Sequence, residues 1–330
     1  MAEMRNRWKS LLPVYGIWAV IGTLPLLVPV FGSPYAVDVN FRTCSLVMIS
    51  VSWNLMAGAG LISLGHSAFW GLGGYAAILA ANNFGLSIGL SLVPAILCGA
   101  LLGAALAIVT GRLRGIYFAI STFAMSEALR VLAVMLPDLT GGSEGLYLHA
   151  ELSPGVLTVN VVAGIGAVAA ALVTWAIART RYHYALRAMR NNESAASMLG
   201  IQPVRYRIVI MAISGAMASF AGGINVWYGG YIDPGAAFDL QTTIDAQIAP
   251  ILGGIYTLPG PIIGAMAAVG LREITRSFLG DVVGASLLVF GVILVLSILY
   301  MPQGIYGVIR RVHWKSPLRS TKVAVSKEAP

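Results

Sequence analysis

Ten apolar runs follow one another along this chain, at residues 11–31, 42–59, 64–82, 87–109, 115–136, 155–178, 208–230, 242–256, 259–277 and 283–301. A helix needs about 20 predominantly apolar residues to cross the hydrocarbon core of a bilayer. In water, so many runs would leave large sticky patches exposed. The chain is 58% hydrophobic and only 10% charged over its 330 residues, against about 25% charged in a typical soluble domain. These features predict an all-α, polytopic integral membrane protein with about ten spans, or about eight to nine if the short, glycine-containing runs are re-entrant.

The first run follows Arg5, Arg7 and Lys9. It is too long for a signal peptide and lacks a clean small-x-small cleavage site, so it reads as an uncleaved first span. Its Pro13, Pro25 and Pro29 are tolerable where neighbouring helices satisfy the freed carbonyls. With the N-terminus inside, ten spans put all but four of the 21 Lys and Arg on one side. That side holds the N-terminal segment, the Arg112/Arg114 turn, the loop 179–207 and the tail from Arg310 onward. Arg42, Arg130, Arg272 and Arg276 are the exceptions. Cytoplasmic loops are enriched in Lys and Arg, which predicts both termini in the cytoplasm. The permease-like body then covers 1–310, and the polar stretch 311–330 is expected to be a disordered cytoplasmic tail. The opposite face gathers Asp38, Asp138, Glu144, Glu151, Asp233, Asp239 and Asp281, either as solvated loop residues or as a docking surface for an external partner.

Several chemistries are excluded. Cys44 and Cys98 are isolated in apolar runs, and the four histidines are scattered, so neither a metal site nor a disulfide framework is indicated. There is no G-x-x-x-x-G-K-[ST] phosphate loop, hence no ATP engine on this chain. No His, Cys or carboxylate cluster supports an enzyme, and nothing points to nucleic acid.

The longest inner loop, RTRYHYALRAMRNNESAASMLGIQPVRYR at 179–207, carries two short elements. The first, Tyr184–Arg190, is amphipathic. The second starts at Asn191 or Asn192, either a good N-cap, with Glu193 at the positive end of the helix dipole. It is stopped by Gly200 and Pro203. Two turns of helix are not stable alone. The small side chains Ala195, Ala196 and Ser197 then mark either an interfacial membrane helix or a coupling helix fitting a groove on a cytoplasmic subunit.

Asn54–Ala77, NLMAGAGLISLGHSAFWGLGGYAA, has the opposite character: bare backbone inside an apolar run. Gly58, Gly60 and Gly65 surround an expected break between the second and third runs, with Asn54 and His66 beside it. Gly253, Gly254 and Gly260, with Pro259 and Pro261, do the same between the eighth and ninth. Small residues let helices approach closely, and broken helices expose backbone that lines a pathway. Two such elements in separate halves suggest an internal pseudo-repeat. Glu127 and Arg130, at i, i+3, read as a structural pair, Asp245 as an interface anchor, and His66 with Ser63 and Ser67 as a structural hydrogen-bonding group or a ligand contact.

NNESAASMLGI resembles the E-x-A-A…G loop of bacterial ABC importer permeases. Its surroundings, YALRAMRNNESAASMLGIQPVRYR, resemble branched-chain amino acid permeases of the LivM type. The Asn54–Ala77 stretch, GIYFAISTFAMSEALR, LTGGSEGL, APILGGIYTLPGPIIGA and MPQGIYGVI are similar to that family's other signatures, in the same order, over about residues 40–310. At Leu61 the family often has glutamine, at Tyr256 glycine and at Trp70 phenylalanine. The resemblance implies a permease subunit of an importer in the bacterial cytoplasmic (inner) membrane, passing branched-chain or related hydrophobic amino acids. It further implies a second, homologous permease, an external solute-binding protein at the acidic face (Asp233, Asp239), and two cytoplasmic ATPases holding ATP and Mg and gripping Glu193, Ala195, Ala196 and Gly200. This chain itself would need no cofactor. Urea or short amides are the alternative cargo within the family. An ion-coupled secondary transporter is the alternative class, and would need a carboxylate or ion cage near mid-membrane.

Overall fold

The computed structural model describes residues 27–28, 32–152, 154–279, 285–301 and 303–313. Most of the expected first span and most of the tail lie outside them. The α-helices of six residues or more among the described residues are α1 (Pro34–Ala57), α2 (His66–Phe84), α3 (Ile88–Val109), α4 (Ile116–Met135), α5 (Val156–Ala178), α6 (Arg181–Asn191), α7 (Glu193–Met198), α8 (Pro203–Gly229), α9 (Leu240–Gly253), α10 (Gly260–Leu279), α11 (Ala285–Tyr300) and α12 (Gly304–His313), with single turns at Pro137–Thr140 and Pro234–Ala237. Of these, α3, α4, α5 and α8 are long and apolar enough to cross a bilayer on length and composition alone. A two-residue antiparallel ribbon, pairing Leu146 with Ile232 and Tyr147 with Tyr231, is the β structure among the described residues.

Most helix bounds fall within two residues of the apolar runs, and the departures have local causes. α1 starts at Pro34, not 42, because proline suits the first helical position and Ser33 Oγ accepts a hydrogen bond from Ala36 N. α8 starts at Pro203, not 208, by the same proline rule, so Arg205 and Arg207 belong to a helix rather than a loop. α9 has only 14 residues, about 21 Å at 1.5 Å per residue, against a hydrocarbon core about 30 Å thick. It ends at the break 254–259, after which α10 doubles back antiparallel beside it, with Gly264 against Ala249 and Arg272 beside Asp245.

Large side chains such as Phe41, Trp53, Phe69 and Phe118 are buried in the bundle, but the face of α3 that meets α8 is lined largely by small residues. In α3 the buried positions Ser91, Ala95, Gly99, Gly103 and Ala107 recur every fourth residue, while Leu90, Val93, Leu97, Leu101 and Ile108 are exposed. That stripe meets α8. A methyl group on Gly99 would overlap Ser219 Oγ and Gly215 O, one on Gly103 would overlap Met211 O, and one on Gly73 of α2 would overlap Ser219 O. Ser219 Oγ donates across the seam to Phe69 O at 2.6 Å, and Trp227 Nε1 to Ser91 Oγ at 2.9 Å. Three helices thus touch backbone to backbone, the arrangement small residues permit in lipid.

Contacts sort the connections onto two ends. The break after α1, the 110–115 turn, α6–α7 and the break before α10 meet one another at the basic end. The ribbon, the α2–α3 connection and the starts of α1 and α9 gather at the acidic end, where Asn82 Nδ2 donates to Tyr147 O at 2.8 Å. Three of the arginines outside the basic group are ion-paired: Arg42 with Asp38 at 2.9 Å, Arg130 with Glu127 at 2.8 Å, and Arg272 with Asp245.

Candidate functional site

The two breaks hold each other. Asn54, in the last turn of α1, reaches the second break: its Nδ2 donates to Thr257 O at 3.0 Å, and its Oδ1 accepts from Tyr256 N at 2.9 Å. In return Gln247, late in α9, donates from Nε2 to Ser63 O in the first break at 3.4 Å, joined there by Trp53 Nε1 at 2.9 Å. Thr243 of α9 accepts from Ser67 N at 2.9 Å, and Thr122 of α4 accepts from Leu64 N at 3.0 Å. Backbone at membrane depth has no water to bond, so such irregular segments survive only when protein satisfies them or they border a water-filled space. An amide side chain from the helix before each connection does this for the other.

The predicted glycines divide by role. Gly58 caps α1. Gly60 lies against the backbone of Arg190 in α6, and Gly65 against Thr122 of α4. A methyl on Gly253 would overlap Gly260 O, which brings α9 and α10 together at their tips, and Gly254 turns the chain there with φ 131°. His66 is fully buried and pairs with neither Ser63 nor Ser67. Its Nε2 lies 3.3 Å from Ser214 Oγ, whose own proton goes to Ser52 O at 2.8 Å, so Nε2–H is the donor. His66 therefore ties α2 to α8, and through Ser214 to α1. Asp245 joins α9 to α10 through Arg272, with Nη1 to Oδ2 at 3.0 Å. Among the described residues no group of His, Cys, Asp and Glu has the arrangement of a metal site.

The arm α6–α7 projects at the basic end. Asn192 caps α7, its Oδ1 accepting from Ala195 N at 3.0 Å, and Gly200 reverses the chain with φ 84°. Glu193 turns inward. Its Oε2 accepts from Arg207 Nη2 at 2.8 Å and lies 3.1 Å from Arg114 Nε. Arg207 Nη1 also donates to the carbonyls of Thr110 (3.4 Å), Gly111 (3.1 Å) and Leu113 (3.1 Å). One arginine thereby joins α7, the α3–α4 turn and the first turns of α8. Ala196 is buried against this base, whereas Ala195 is exposed. The most exposed large apolar side chains of the arm are two that the small-residue pattern passed over: Met198 is 89% and Leu199 81% exposed. Their signal in the sequence was a pair of large apolar side chains directly before the stopping glycine.

At the acidic end Asp233 and Asp239 act first as helix caps. Asp233 Oδ1 accepts from Ala236 N at the start of the single turn Pro234–Ala237, and Asp239 Oδ1 from Gln241 N at the start of α9, each at 3.0 Å. Asp239 is exposed and Asp233 half-buried.

A helical bundle with two irregular, mutually tied connections and a capped arm at its basic end fits a polytopic transport permease. The chain belongs to the family of branched-chain amino acid transport system permease components, whose pattern matches residues 35–298. It is 27% identical to the high-affinity branched-chain amino acid transport system permease protein LivM of Salmonella typhimurium, over 86% of this chain and 72% of that one. It is 28% identical to the corresponding protein BraD of Pseudomonas aeruginosa, over 79% of this chain and 91% of that one. Its similarity to LivH of Escherichia coli is 31% over 53% of this chain and 56% of that one.

Proposed function

We propose that this chain is one of two homologous permeases in a bacterial ABC importer for branched-chain or related hydrophobic amino acids. It lies in the cytoplasmic membrane with both termini in the cytoplasm. Two ATPase subunits supply ATP hydrolysis, and a solute-binding protein delivers cargo to the acidic end. The observation that carries this reading is the arm: a helix of six residues, unstable by itself, pinned by a buried charge and offering Met198 and Leu199 to a partner.

The arm gives a route for force. A push on Met198 and Leu199 is delivered through Glu193 to Arg207, and so to the start of α8 and to the turn between α3 and α4. Because α8 is in backbone contact with α2 and α3, these three helices move as a block. The breaks at 58–65 and 254–259, held by side chains rather than by helix ladders, are where the chain yields. The carboxylates Asp38, Glu127 and Asp245 are each engaged by an arginine. A proton- or sodium-coupled transporter needs such a group free to bind its ion, which counts against that alternative class.

The test is reconstitution in proteoliposomes. Radiolabelled leucine uptake is expected only with the ATPase partners, the second permease, the binding protein and ATP. Accumulation of solute by this chain alone would overturn the scheme, and uptake of urea in place of leucine would replace the cargo.

A further inference from the structure

The break at 254–259 forms one wall of a cavity of about 310 Å3 at the basic end, within the usual size range of small-ligand pockets, about 300–1,000 Å3. Helix α6 forms another wall, bringing Arg187, Arg190 and His183. The remaining lining is mostly apolar, from Leu55, Ile177 and Leu186, with Asn54 at the break. Among the described lining residues there is no carboxylate, and Arg187 and Arg190 form no ion pair among the described residues. The cavity is therefore a cationic mouth over an apolar interior. Burial first, and then Arg187 and Arg190, hold the His183 imidazole below its usual range.

Two further features fit a built site. Tyr256 has φ 64°, the one positive value for a residue other than glycine among the described residues. Such strain persists only where the surroundings impose it, and it concentrates at ligand sites. Here the ring lies 4.0 Å from the Arg190 guanidinium and holds it at the rim. The last turns of α1 and α5 also reach the cavity, at Gly58 and Ala178, and the negative end of a helix dipole favours a cation. The same space thus offers arginines to an anion and two helix ends to a cation.

We infer that this cavity binds a small zwitterion with an apolar tail, the amino acid on its way out, with Arg187 and Arg190 on its carboxylate and Leu55, Ile177 and Leu186 around its side chain. This rests on the reading that amino acids pass through the chain. Anionic lipid headgroups also seek basic pockets at the cytoplasmic face. The wall of irregular backbone argues for the solute, because such backbone borders water or protein and not acyl chains.

The experiment is calorimetric titration of the purified chain in neutral detergent with leucine, isovalerate, isopentylamine and a short-chain phosphatidylglycerol. Leucine and isovalerate should bind and isopentylamine should not. Arg187→Gln, which leaves the Tyr256 stack intact, and Arg190→Gln should each weaken carboxylate binding about tenfold or more, as expected for loss of a hydrogen bond to a charged group. Failure of both carboxylates to bind, equal affinity in wild type and both variants, or displacement of leucine by the phosphatidylglycerol would overturn the assignment. Leucine uptake by the full complex, measured in parallel, separates the two readings. Uptake without binding at this cavity removes the cavity alone, and a complex that takes up no amino acid removes the cargo as well.

Discussion

Two arginines touch the same carboxylate, and they should behave quite differently when removed. Arg114 is 61% exposed and Arg207 only 4%, while Glu193 is 13% exposed. An exposed ion pair contributes about 0–1 kcal/mol. Breaking a buried pair by deleting one partner costs about 3–5 kcal/mol, because the remaining charge is left without compensation. We therefore expect Arg114→Gln to cost under about 1 kcal/mol, whereas Arg207→Gln costs about 3 kcal/mol and also strips a donor from the Thr110, Gly111 and Leu113 carbonyls. Glu193→Gln should fall between the two, since those carbonyls still hold Arg207. In the double variant Glu193→Gln/Arg207→Gln the costs should fall short of additivity by about 1–3 kcal/mol, as for residues sharing one network. Equilibrium unfolding in mixed micelles measures this, with the buried Cys44 thiol reporting opening through its reaction with a maleimide dye. Equal losses for Arg114 and Arg207, or a coupling energy within about 0.5 kcal/mol of zero, would refute the claim that a buried charge anchors the arm.

Asn54→Leu should orphan two backbone groups of the second break and cost about 2–6 kcal/mol in the same unfolding assay, at about 1–3 for each. Asp239→Asn keeps a good cap and removes only charge, so weakened, salt-sensitive docking of the binding protein without loss of thermal stability is expected, read by surface plasmon resonance at two ionic strengths. His183 is held low, so between its unfolded value of about 6.5 and its lower folded value the unfolded chain binds more protons. Its contribution to stability is complete above about pH 6.5 and is lost as pH falls toward the folded value. Arg190→Gln should raise that folded value and shrink the loss, as followed by nitrogen-15 histidine NMR.

The bundle was largely legible in the order of its residues because lipid imposes a length and a polarity on every crossing. Where the edges were misjudged, the cause was charge. Asp38 and Arg42 lowered the hydropathy of the first turns of α1, although they neutralise each other, and the Ser33–Pro34 start signal went unused. Arg207 was read as a loop residue for the same reason, when it is one of the most deeply placed side chains at the basic end. The α7 cap was legible because Asn192, Glu193 and Gly200 act within a few residues. The direction of Glu193 was not, since it depends on Arg207 after a chain reversal and on Arg114 in another loop. The Asn54 clasp joins residues 203 apart in the chain, and the His66 link to Ser214 spans 148. Local pattern carries no information at such distances.

The glycine seam between α3 and α8 sets entry into the bilayer against assembly within it. Leucine in place of Gly99 would make α3 a better substrate for the insertion machinery, which rewards greasiness one segment at a time. The same leucine would stand where Ser219 and Gly215 already are. A cell screened only for how much of this protein reaches its membrane would thus prize variants whose helices enter readily and then never close.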